Sequence, residues 1–128
     1  MRQAMEQNRA RRAAYAYGLR AETVATLWLR ARFYKILARN FRAHGGEVDI
    51  VARRGHTIVF VEVKARGDLD NAAIAITPQK QRRFSQAAGR WLAANPWAIN
   101  YTLRADAIFV APGKFPRHLE NAFELRVG

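Results

Sequence analysis

The run Thr57-Ile-Val-Phe-Val-Glu-Val-Lys-Ala65 constrains this chain more than any other stretch. β-branched and aromatic residues dominate it, so it reads as a strand. Successive side chains of a strand point to opposite faces. One face therefore carries Thr57, Val59, Val61 and Val63, and the other carries Ile58, Phe60, Glu62 and Lys64. An acid and a lysine projecting from the same face of so apolar a strand need partners or a ligand.

The residues just upstream supply a candidate partner. Glu47-Val-Asp-Ile-Val-Ala-Arg53 reads as a second strand, and Arg53-Arg-Gly-His56 as a tight turn. So short a connection implies antiparallel pairing, which brings Asp49 near Glu62. Two close carboxylates repel unless a cation lies between them or one is protonated. Mg²⁺ or Mn²⁺ takes oxygen ligands and keeps several waters. Such an ion activates water and stabilises charge on a phosphoryl group. Lys64 beside it would orient the nucleophile or stabilise the transition state. The competing reading is a salt bridge from Lys64 to Asp49 or Glu62 on an exposed sheet face, and the residues alone leave both open.

The rest of the chain frames this hairpin. Leu19, Val24, Leu27, Trp28 and Ala31 recur at helical spacing over residues 19–31. Residues 33–43 read as a strand, and His44-Gly45-Gly46 as a turn. Asp68, Asp70 and Asn71 mark a loop over residues 66–76. Thr77-Pro78 predicts a helix start, with Thr as N-cap and Pro at the first position. That helix runs to about Ala94, stops at Asn95-Pro96, and offers Phe84, Ala87, Ala88, Trp91 and Leu92 as its apolar face. A strand follows over residues 100–110, bent near Arg104-Ala-Asp106, and a short last strand over 118–123. The order αβββαβ(β) predicts an α/β sandwich on a mixed sheet. Residues 18–128 form its single domain, and residues 1–17 a basic arm, helical or disordered.

Charge narrows the partner. The chain carries 22 Lys and Arg against 10 Asp and Glu, a net +12, with a pI near 11.4. Nucleic acid is the commonest anionic partner of such a protein. Ten of the cations fall in residues 1–43, including Arg9, Arg11, Arg12, Arg39 and Arg42. With no cysteine, disulfides, thiolate metal sites and Cys nucleophiles are excluded. A reducing cytoplasm is the expected location, and neither a signal peptide nor a membrane-spanning run is visible. His44, His56 and His118 fall at turns without ligand-like spacing and read as solvated. Trp91 reads as core and Trp97 as surface or interface.

Gly46-Glu-Val-Asp-Ile-Val51 followed by Ile58-Val-Phe-Val-Glu-Val-Lys-Ala-Arg66 resembles the YraN family of small bacterial proteins. That family in turn resembles the PD-(D/E)XK nuclease superfamily, and within it the archaeal Holliday-junction resolvases. Gly18 and Glu22, the stretch Tyr34 to Asn40, Thr77 to Arg83, and Asn121-Ala-Phe123 carry the resemblance along nearly the whole chain from Gly18. It implies a restriction-endonuclease-like three-layer sandwich, a central mixed sheet flanked by helices, in the order αβββαββ. It implies Asp49 and Glu62 as metal-binding acids with the Val63 carbonyl, Lys64 as the motif lysine, and Glu22 as the first-helix acid completing the site. Lys80 falls where relatives often place a Lys or Gln near the metal. Glu47 shares the face of Asp49. The loop Gly67-Asp-Leu-Asp-Asn71 is more acidic than the family's, and Arg104-Ala-Asp106 lacks the aromatic of the family's Arg-Phe-Asp.

Three functions compete. The first is a Mg²⁺- or Mn²⁺-dependent endonuclease acting on DNA, branched or damaged. The second is a non-catalytic nucleic-acid-binding module on the same fold. In either, Arg9, Arg11, Arg12, Arg39, Arg42, Arg66, Lys80, Arg82 and Arg83 would grip phosphates in a salt-sensitive, sequence-tolerant way. A resolvase-like substrate would suit a twofold homodimer. The third is a protein-partner role, for which Trp91 and Trp97 are the only pointers. The intact Asp49, Glu62 and Lys64 favour the first, because a mere binder needs no carboxylates that repel phosphate.

Overall fold

The computed structural model describes residues 2–65 and 76–127, apart from the side chains of residues 10 and 13–19. Helix α1 (Arg2–Ala31) leads into three strands, β1 (Lys35–Ala43), β2 (Gly46–Arg54) and β3 (Thr57–Ala65). Helix α2 (Pro78–Ala94) and a 3-10 turn (Pro96–Ala98) precede β4 (Thr102–Val110) and β5 (Arg117–Phe123). The five strands form one mixed sheet in chain order. All neighbours are antiparallel except β3 and β4, which the α2 crossover makes parallel.

Helices cover both faces, giving the three-layer sandwich. The small residues Ala21 and Ala25 let α1 lie close to the sheet, where with Leu29 it buries Ile50, Ala52, Val59, Val61, Ile108 and Val110. On the other face Phe84, Ala87, Ala88, Trp91 and Leu92 of α2 pack on Val48, Ile58, Phe60 and Phe109. Strand β3 is thus covered on both sides, which is why it is apolar on both faces. The Thr77 hydroxyl accepts a hydrogen bond from the Lys80 amide (3.2 Å), so the N-cap is the one expected. Asn95 closes the helix, its side-chain amide donating to the Trp91 carbonyl (2.8 Å).

Some elements differ from expectation. The basic arm and the first helix are one continuous helix, α1, running through Gly18. The register of β1 on β2 shifts between Ile36 and Ala38, and Asn40 has φ 54°. Both irregularities fall within β1. Arg66 and the acidic 67–71 loop lie outside the described residues. Among the described residues no helix is long and apolar enough to cross a membrane.

Candidate active site

The pairing of β2 with β3 runs from Arg54 with Thr57 to Ile50 with Val61 and stops there. Beyond that point the Asp49 carboxylate takes the place of backbone, accepting a hydrogen bond from the Val63 amide at 2.7 Å. The parted strand ends open a cleft lined by Glu47, Asp49, Glu62 and Lys64 from the sheet and by Lys80, Arg83 and Phe84 from α2. Its width is set at Gly46. A side chain there would collide with the Arg83 carbonyl, so only glycine allows the hairpin to lie this close to α2.

The electrostatics of the cleft are unusual. Burial first, and then the charge of Glu62, push the Asp49 carboxyl up to about 8, against the pull of the Val63 amide. Glu47 and Glu22 push the same way more weakly. Lys64 Nζ lies 3.0 Å from Glu62 Oε1, both side chains largely buried. This is the intrastrand pair allowed by their i, i+2 spacing.

Glu22 does not line the cleft. It projects from α1, is 8% exposed, and its Oε1 has no hydrogen-bond partner. Burial raises its pKa, Glu47 adds to this, and Arg39, Arg42 and Asn40 oppose it. Asp49, Glu62 and Lys64 thus share one cleft with Lys80, and the charge of Glu22 acts on Asp49. Among the described residues no three His, Asp or Glu side chains are grouped as a metal cage. A hard divalent ion is often held by only one or two carboxylates plus water. The repelling Asp49–Glu62 pair fits that demand, and the unsatisfied Glu22 oxygen is a further acceptor close behind it.

The predicted phosphate-gripping residues are spread over the surface. Arg82 and Arg83 are exposed on α2, Arg39 and Arg42 on β1, and Arg9, Arg11 and Arg12 on α1. Arg42 is partly neutralised by Glu47 at 3.5 Å.

One polar cluster escaped the sequence reading. Asp106 is fully buried on β4, held by both arms of Arg104 (2.7 and 2.9 Å), by His118 Nε2 (2.8 Å) and by the Asn121 amide (3.0 Å). Arg104 also donates to the Tyr34 hydroxyl (2.9 Å). Burial works to raise the Asp106 pKa, but the bonds from His118, Arg104 and Asn121 hold it below the usual value. His118 is thus buried rather than solvated. His56 is exposed but engaged, with Nε2 3.0 Å from the Asn100 carbonyl and its ring stacked on Tyr101. The available signal was an acid inside the apolar run Ala105-Asp-Ala-Ile-Phe-Val110.

A five-stranded mixed sheet covered by helices on both faces defines an α/β three-layer sandwich, with paired acids and a lysine where two of its strands part. Residues 21–110 match the model described as Uncharacterised protein family UPF0102, and the chain belongs to that family, the YraN family of the resemblance. Among similar proteins, a UPF0102 protein of Methylocella silvestris is 56% identical over 92% of this chain and 95% of its own. One from Methylorubrum extorquens is 57% identical over 90% of each chain. One from Bradyrhizobium diazoefficiens is 50% identical over 88% of this chain and 84% of its own.

Proposed function

We propose that the cleft between β2, β3 and α2 is the active site of a metal-dependent endonuclease that hydrolyses DNA phosphodiester bonds. The observation that carries this reading is the Asp49–Glu62 pair. Two carboxylates are forced together in a half-buried cleft, one of them pushed up to about 8, within a chain of net charge +12. A purely structural site gains nothing from that repulsion, whereas a divalent cation relieves it. Asp49, Glu62 and the Val63 carbonyl would hold Mg²⁺ or Mn²⁺, with Glu22 acting from behind. When bound, the ion supplies an activated water and neutralises phosphoryl charge.

The chain's own residues do the rest. The Val63 amide fixes the Asp49 carboxylate in direction. Glu62 holds the Lys64 ammonium in the cleft, where its protons are available to a water or a phosphoryl oxygen. Lys80 and Arg83 on the α2 rim neutralise the phosphates flanking the scissile bond. The exposed arginines of α1, β1 and α2 extend that grip over the surface. Likeness to Holliday-junction resolvases makes branched DNA the first substrate to test and a twofold homodimer the assembly that would suit it.

A cleavage assay on linear, branched and single-stranded DNA with Mg²⁺ or Mn²⁺ tests the reading. Cleavage abolished in Asp49→Ala supports it; none by wild type on any substrate sinks it. The second reading, a binding module on the same fold, is favoured by one observation. The Lys64–Glu62 pair partly satisfies the cleft without any ion.

A further inference from the structure

The end of the sheet opposite the cleft is built by the start of β1, the β2–β3 turn and the start of β4. Lys35 pairs with Arg53, Arg54 with Thr57, and Thr57 with Thr102. Arg54 lies five residues from Asp49, about 16 Å along the strand. Acids are missing from the segments that make this end: none occurs in residues 23–46, 50–61 or 71–105. Arg30, Arg32, Lys35, Arg53 and Arg54 are all exposed here, and none pairs with a carboxylate among the described residues.

Aromatic rings alternate with these cations. Trp97 is 49% exposed, yet it is held edge-on by Trp91 (6.0 Å) and Tyr101 (5.6 Å). Tyr101 stacks on His56 (4.7 Å) and lies under the Arg53 guanidinium (4.8 Å). Around the turn, Arg54 covers Tyr34 (4.4 Å) and donates to the Arg32 carbonyl (3.3 Å).

Phe33 shows that this arrangement is held against a stability cost. Its amide bonds the Arg30 carbonyl (3.0 Å), and the Tyr34 amide bonds the Leu29 carbonyl (3.0 Å). These are the two bonds of a Schellman helix end, whose left-handed position normally takes glycine. Phe33 occupies that position with φ 70° and is 87% exposed. A bulky aromatic there is strained and gains almost no burial. Strain with no packing return marks a functional position.

We infer that this end of the molecule is a second nucleic-acid contact, a stacking surface for the unpaired bases of a single strand. Phe33 and Trp97 present exposed rings on which bases can stack, and Arg32, Arg53 and Arg54 meet the phosphates. A polyanion that also carries exposed π faces is the ligand chemistry that satisfies both features. The inference is independent of cleavage in the remote cleft.

The test is a titration of wild type, Phe33→Gly, Trp97→Ala, Trp97→Phe and Arg53→Gln with oligothymidylate, with a duplex of equal length and with heparin, all in EDTA. Phe33→Gly should raise the melting temperature by about 2–4 °C and yet weaken oligothymidylate binding about tenfold, one stacked base's worth. Trp97→Ala should lose a similar factor, and Trp97→Phe should recover most of it. Phe33→Gly and Trp97→Ala should leave heparin binding unchanged, whereas Arg53→Gln should weaken all three ligands. Equal affinity of Phe33→Gly and wild type for oligothymidylate would overturn the inference. So would equal losses on all three ligands, or a loss of self-association by sedimentation with no change in binding. The titrations are run in EDTA, where the proposed cleavage cannot proceed, so a failed cleavage reading leaves this one standing.

Discussion

The Val63 amide donates to Asp49 Oδ2 at 2.7 Å, just past Ile50–Val61, the last backbone pair between their strands. The acid is thereby fixed by the same strand that carries Glu62 and Lys64. Three side chains from two strands need no loop to position them, and the amide needs no backbone partner. That bond also lowers the Asp49 pKa, but burial and Glu62 outweigh it.

The consequence is a pH dependence of stability in the metal-free protein. A carboxyl raised from 3.8 to about 8 binds its proton more tightly when folded. Its stabilising contribution is complete below pH 4 and is lost progressively as the pH rises to 8. Asp49→Asn keeps an acceptor for the Val63 amide but cannot ionise. In EDTA it should lie nearest to wild type at about pH 4 and exceed it at pH 9. Between those limits the gap should widen by at most about 1.4 kcal/mol for each tenfold fall in proton concentration. Denaturant melts at the two pH values check this. Identical profiles for the two proteins would show that Asp49 ionises freely.

Asp106 behaves in the opposite sense. Its pKa is held below the usual value, so its contribution is present above pH 4 and is lost as the pH falls further. Asp106→Ala leaves the Arg104 guanidinium and His118 without their partner inside the fold. The expected loss is about 3–5 kcal/mol, read by urea denaturation at pH 7. Replacing His118 with Leu removes one of four bonds and should cost about 1–2 kcal/mol.

The hairpin and its acids were legible because their signals are local. β-branched residues mark Thr57–Ala65 to the residue, Thr77-Pro78 marks the start of α2, and strand alternation puts Glu62 and Lys64 on one face. The burial of Glu22 was not legible, because it depends on how α1 packs on strands that lie far from it in the chain. His118 was misread for a related reason. Its partner Asp106 lies twelve residues away across the β4–β5 pair, at a register shift between Ala105 and Ala107. Spacing along the chain carries no trace of a partner met across strands. Phe33 likewise looks like an ordinary aromatic until the helix-end geometry shows its left-handed backbone.

The Lys64–Glu62 pair separates a structural lysine from a working one. Lys64→Met removes the ammonium and leaves a similar apolar stem, so Glu62 loses its partner and the repulsion on Asp49 grows. On the proposed mechanism, cleavage should fall about 10²–10³-fold while DNA affinity changes less than about threefold. Metal-dependent stabilisation should persist or increase, since the competitor for Glu62 is gone. Single-turnover cleavage and thermal melting with and without Mn²⁺ give both readouts. Unchanged cleavage in Lys64→Met would make the pair structural.

Two glycines near α2 should respond oppositely to the same added methyl group. A Cβ on Gly46 would fall on the Arg83 carbonyl, which is backbone inside a helix and cannot swing aside. Gly46→Ala must push the hairpin and α2 apart, with an expected cost of about 1–3 kcal/mol. It should also weaken DNA cleavage by withdrawing Lys80 and Arg83 from the acids they share the cleft with. Gly89 lies inside α2, and a Cβ there would meet only the Val127 carbonyl at an ordinary 3.8 Å. Gly89→Ala should therefore raise stability by about 0.5–1 kcal/mol through helix propensity and leave cleavage unaltered. Thermal melting of both variants beside wild type checks the pair. A stable, fully active Gly46→Ala would show that the close approach of hairpin and helix does not set the geometry of the cleft.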